Sequence, residues 1–121
     1  ELESLMKLER RELRNRLEVL ILHLLKWDHQ PGERSNRWRA TVAEQRRRIR
    51  DLLMDSPSLK QEIGPTCKSV YPDAVHAAAI ETQIEEAAFP QTLPYTVEEI
   101  FERELPAEEL PDQRSTRKKR P

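Results

Sequence analysis

Arg37, Arg39, Arg46, Arg47, Arg48 and Arg50 fall within one short stretch of the chain. Guanidinium groups at this density suit two kinds of chemistry. They can follow the phosphates of a nucleic acid or another anionic partner, or they can pair with carboxylates of the same molecule. Arginine's planar fork fits either, so residue type leaves both open; pairing within the molecule weighs more, because charge runs are commonly neutralised or solvated faces. A second basic string, Arg117, Lys118, Lys119 and Arg120, closes the chain.

Other groups that could carry chemistry are sparse. His23, Asp28 and His29 are close in sequence, but the two histidines are six residues apart and miss a common helix face, and His76 is remote. No metal site is expected. Cys67 stands alone without a nucleophile signature around it and reads as a small hydrophobe. No catalytic residue and no cofactor are assigned, and an enzyme is the least favoured class. Trp27 and Trp38 flank the turn between two helical stretches and read as a core plug joining them. Gln45 interrupts an apolar stripe and reads as a buried amide needing a partner.

These residues sit in a chain of 121 residues with formal net charge -1, 36% charged and 36% hydrophobic. The near-zero sum hides segregation. Residues 34–50 hold seven Arg and one Glu, a balance of +6; residues 91–113 hold seven acids and one Arg, a balance of -6. Residues 114–121 add five basic groups with no acid. No apolar run approaches a membrane span. A single cysteine excludes a disulfide within the chain, and two glycines exclude a glycine-rich phosphate loop. The absence of a hydrophobic leader makes the cytoplasm the expected compartment.

The elements that must position these groups are helices. Leu2, Met6, Leu13, Leu17, Leu20, Ile21 and Leu24 recur at helical spacing through residues 1–27. From Val19 to Leu25 the sequence is apolar nearly all round, which predicts packing on several sides. Pro31-Gly32 ends this helix. A second runs from Ser35 or Asn36 to about Asp55, with Trp38, Val42, Gln45, Ile49, Leu52 and Leu53 on one face. Arg39, Arg47 and Arg50 point away from that face, with Arg46 and Arg48 flanking it. The two helices are expected to pair antiparallel.

Ser56-Pro57 opens a short helix that Gly64-Pro65 punctuates. A further stretch spans Thr66 to about Glu86, where Pro72 predicts a kink or split near Tyr71. Ala74, Val75, Ala78 and Thr82 form its small-residue face. Phe89 to Pro94 reads as extended, and Thr96-Val97-Glu98-Glu99 is a capping box opening a last helix to about Glu104. No segment alternates with period two, so no sheet is expected, and no internal repeat is visible.

Several strings stand in a telling order: LEVLILHLLKW at 17–27, WRATVAEQRRRI at 38–49, DSPSL at 55–59, YPDA at 71–74, AIET at 79–82 and FPQTLPYTVEEIF at 89–101. Together they resemble the bacterial domain of unknown function family 29 over about residues 1–105. The resemblance implies a small all-helical protein and carries no catalytic residue, substrate or cofactor. Two departures from the family's pattern stand out. Members usually carry a further helical segment before the residue equivalent to Glu1, so the apolar face around Leu2–Leu17 is expected to lack cover or to be covered by another chain. Members also usually carry glycine after the Glu-Thr, where this chain has Gln83, and the helix there is expected to run on toward Ala87.

The sequence thus predicts an all-α bundle: an antiparallel pair of long helices with shorter, proline-punctuated helices packed across it. Residues 1–105 form one domain, and residues 106–121 a flexible charged tail. The expected core is Leu17, Leu20, Ile21, Leu24, Trp27, Trp38, Val42, Gln45, Ile49, Leu52 and Leu53. The expected role is a non-enzymatic interaction module acting through self-association or a protein partner. The alternative is an antitoxin-like nucleic-acid-binding regulator that uses the arginine helix and the basic tail.

Overall fold

A computed structural model describes residues 2–111 of the chain. Helix α1 (Leu2–His29) leads through a 3-10 turn (Pro31–Glu33) to α2 (Asn36–Asp55). A second 3-10 turn (Pro57–Glu62) runs directly into α3 (Ile63–Thr82). After a short 3-10 turn (Glu86–Ala88), an extended stretch reaches α4 (Val97–Glu102) and a last 3-10 turn (Ala107–Glu109). No strand occurs among the described residues, and the fold is all-α.

Side-chain pairs fix the topology. Ser56, just past α2, donates its hydroxyl to Glu9 near the start of α1, so α2 runs antiparallel to α1. Arg14 reaches Ser69 and Lys26 reaches Glu81, so α3 runs parallel to α1. Helix α1 lies between the other two and packs against both. That position explains its apolar run. Leu20, Ile21, Leu22, Leu24, Leu25 and Trp27 are all buried, because neighbours lie on more than one side. Leu17, Val42, Ile49 and Leu52 complete this part of the core, with Trp38 and Leu53 half-buried against it. The small face of α3, with Cys67, Ala74 and Ala78 fully buried, lets its backbone approach α1 closely.

The structure departs from the sequence reading in identifiable places. Gln45 is half-buried: its Oε1 accepts from Arg16 at 3.2 Å, beside an open cleft of about 370 Å³ on the α1–α2 seam. Helix α3 is one twenty-residue helix, as long as α2, and passes through Pro72. Proline removes the bond to the carbonyl of Lys68. Both residues are exposed, so water can take that carbonyl and the helix continues. The Gly64-Pro65 pair sits within the first turn of α3, where a missing N–H costs nothing.

The C-terminus of α3 falls at Thr82, not toward Ala87. Gln83 takes the left-handed conformation at φ 62°, and its N–H bonds the carbonyl of Ala79. Thr82 Oγ1 donates to Ala78 and accepts from the N–H of Ile84, which turns the chain away. Helix α4 ends at Glu102, two residues early. Residues 106–111, expected to be flexible, lie along the molecule with Leu110 half-buried against the core. The remaining tail, including Arg117, Lys118, Lys119 and Arg120, lies outside the described residues.

Candidate functional site

Residues 83–111 form a strap that lies first against α3 and α1, and from Glu99 onward it meets the arginine block of α2. Helix α4 has only six residues: the carbonyl of Glu99 takes the N–H of Arg103, and the carbonyls after it have no partner within the helix. Arg46 supplies two donors, Nε to the carbonyl of Ile100 at 2.9 Å and Nη2 to that of Glu99 at 3.3 Å. Arg50 Nη2 donates to the carbonyl of Phe101 at 3.2 Å and to the Glu102 carboxylate at 3.1 Å. Arg39 Nε donates to the carbonyl of Leu105, and its Nη1 to Asn36. Cationic groups at a helix C-terminus also meet the negative end of its dipole. The opposite end of α4 is closed by the capping box: Thr96 Oγ1 accepts from Glu99 N–H while Glu99 accepts from Thr96 N–H.

The face of α2 carrying Arg39 and Arg50 therefore looks onto the strap. Arg47 and Arg48 are on the outer side and exposed. Arg47 pairs with Glu44 at 2.9 Å and Asp51 at 3.4 Å, and Arg48 with Glu44 at 2.6 Å. Those two guanidiniums, Arg48 first, hold the Glu44 carboxyl below its usual range. Arg37 is exposed on the first turn. Arg34 donates Nε to the carbonyl of Trp27 in the last turn of α1 at 2.8 Å, pairs with Glu109 at 2.7 Å, and lies 4.8 Å over the Trp27 ring. Carboxylates of the same molecule thus reach part of the block. Glu44, Asp51, Glu102 and Glu109 take arginines of residues 34–50, whereas Glu9 accepts from Ser56 and Glu12 pairs with Arg16 of α1.

A second junction, invisible to sequence spacing, anchors the strap to α1. Asp28 accepts two bonds from Arg103, at 2.7 and 2.8 Å, and one from Tyr95 Oη at 2.7 Å. Burial works against this carboxylate, but the donors from Arg103 and Tyr95 outweigh it and hold Asp28 below the usual range. The Tyr95 phenol is pushed up by burial and by bonding to Asp28. Phe89, Tyr95, Ile100 and Leu105 are the strap's own buried side chains. Tyr71 Oη adds a bond to the carbonyl of Pro90 at 2.6 Å.

His23 and His29 each turn Nδ1 to a carbonyl one turn back in α1, Val19 and Leu25. They do not converge with Asp28, which faces Arg103. Burial lowers the His23 pKa. Among the described residues no group of three or more His, Cys, Asp or Glu side chains is placed to hold a metal ion. Cys67 is buried, its pKa raised to about 11 by desolvation, so its thiolate form is suppressed at neutral pH. No helix among the described residues is long and apolar enough to cross a membrane.

The fold and this junction define a class: a small all-α protein whose central helix is flanked by two others and whose C-terminal strap is pinned to an arginine-bearing helix. The model of the family described as domain of unknown function DUF29 matches residues 1–105, and the chain belongs to that family. No curated protein and no solved structure matches it.

Proposed function

We propose that the protein is a non-enzymatic, bacterial cytoplasmic interaction module that works by self-association or by capturing a protein partner through one end of its bundle. The observation that carries this reading is the placement of exposed large apolar side chains. Leu5 (52% exposed) and Leu8 (59%) lie one turn apart on α1. Met54 (80%) lies on the last turn of α2, at the same end of the bundle, because Ser56 reaches back to Glu9. Scattered exposed leucines are ordinary; three large apolar groups at one end of a small, highly charged molecule favour a contact surface.

The alternative, a nucleic-acid-binding regulator, draws less support. Arg34, Arg39, Arg46 and Arg50 spend donors on the strap or on helix ends, and Arg47 and Arg48 face carboxylates. The test is sedimentation over a wide concentration range, with capture of partners from the native host. The expected result is mass and melting temperature that rise with protein or partner concentration, and an L5S/L8S variant that loses the effect while keeping its helix content. A concentration-independent monomer that captures nothing would overturn the proposal.

A further inference from the structure

Arg39 and Arg46 differ from the paired arginines of α2. Arg47, Arg48 and Arg50 each face a carboxylate within 4 Å. Arg39 and Arg46 have none among the described residues, and their bonds go to backbone carbonyls and the Asn36 amide. Both are half-buried, and both line one cleft of about 510 Å³ between α2 and residues 102–108 of the strap. They stand seven residues apart on one helix face, about 10 Å along the axis. Between them are Ala43 and buried Val42, whose small side chains leave the space open over an apolar floor.

A half-buried guanidinium compensated only by carbonyl dipoles retains unmet charge. Its surroundings add to this. Burial first, then the charges of Arg50 and Arg103, depress the pKa of Arg46, with Glu102 as the opposing influence. Orientation is already fixed, because each Nε is tied to the strap and η donors remain; a bound anion would meet little reorganisation cost. The third arginine of the cleft, Arg103, is committed to Asp28, and Glu102 to Arg50. The exposed Glu104 and Glu108 stand on the strap side and disfavour a long polyanion more than a small one.

We propose that the α2–strap cleft is a binding site for one small oxyanion, a phosphate or carboxylate group held between Arg39 and Arg46. Occupancy would tie the strap to α2, so the ligand stabilises the folded chain. The experiment is thermal unfolding of the full chain in inorganic phosphate and in acetate, each against sodium chloride at equal ionic strength. A rise on the order of 3–8 °C at ten-fold excess over the dissociation constant is expected for at least one oxyanion. Which of the two acts identifies the source as phosphate or carboxylate.

Two variants complete the test. Ala43→Glu places a carboxylate one turn from each arginine and should reproduce the ligand: a higher melting temperature in chloride alone and no further response to the oxyanion. Arg46→Gln starts from a lower melting temperature, because it releases the Ile100 carbonyl and leaves Glu99 with the Arg103 N–H alone, so the slope with oxyanion is compared, and it should fall to that of chloride. Identical curves in phosphate, acetate and chloride for the unaltered chain, or a full response retained in both variants, overturns the proposal.

Discussion

Asp28 shows how much one side chain can decide. Its type and place were plain in the sequence, beside two histidines, yet its partners are Tyr95 and Arg103, 67 and 75 residues away. No local spacing announces such a contact; only docking of the strap creates it. The consequence is pH dependence of a definite sign. Asp28 has a depressed pKa in the folded state, so its contribution is complete above the unfolded carboxylate value of about 4 and is lost as pH falls through the folded value. Asp28→Asn is expected to cost about 1–3 kcal/mol at pH 7. Its penalty should begin to shrink as pH falls below about 4, where the unfolded carboxyl takes up its proton, and should go on shrinking until the folded carboxyl is protonated at its lower value. Denaturant melts at pH 7 and pH 3 check both parts, and an equal penalty at the two values would show that the charge is not what anchors the strap.

Gln83 makes the complementary point at the same scale. The left-handed position is required by the turn that Thr82 builds, a conformation that glycine takes freely and glutamine only under strain. Gln83→Gly should stabilise the chain by about 0.5–1 kcal/mol, the relief being partly offset by a more flexible unfolded state. A loss of stability in equilibrium unfolding would mean that the glutamine side chain does more than occupy the turn.

Among the elements, legibility followed periodicity. Helices α1 and α2 were readable from their apolar spacing, and the all-round apolar run at 19–25 pointed to a central helix. The capping box at Thr96 was readable because both partners are local. Proline misled: Pro72 reads as a break, but its exposed position lets the freed carbonyl be hydrated. What pattern could not show is who caps the helix ends. Arg34 closes α1 at Trp27, Gln30 Nε2 reaches the Thr82 carbonyl at the end of α3, and Arg46 and Arg50 close α4. A six-residue helix is too short to stand alone, so α4 depends on these caps and on burial. Ile100 is fully buried and Thr96 exposed, which ranks the two contributions. Ile100→Ala should cost about 2–4 kcal/mol and Thr96→Ala about 1 kcal/mol, measured by denaturant unfolding. The reverse order would place the strap's stability in its cap and not in its core contact.

At the scale of the whole molecule, the charge blocks decide how it meets a polyanion. The +6 and -6 segments answer one another in part through carboxylates, at Arg34–Glu109 and Arg50–Glu102, and in part through carbonyls, which leave guanidinium charge in place. The basic residues 114–121 are balanced by no acid of their own. Counterion release scales with the phosphates neutralised, so duplex DNA discriminates between these cations. If the tail alone engages DNA, its five charges limit the slope of log affinity against log salt to about -4.5. Replacing Arg117, Lys118, Lys119 and Arg120 with Gln should then bring the slope near -1, whereas R47Q/R48Q should leave it unchanged. Arg47 and Arg48 are outward members of the block that already face Glu44 and Asp51, and engaging DNA through them would first require giving up those pairs. A slope that weakens by about 2 in R47Q/R48Q would assign the DNA contact to α2 and restore the nucleic-acid reading of the arginine helix.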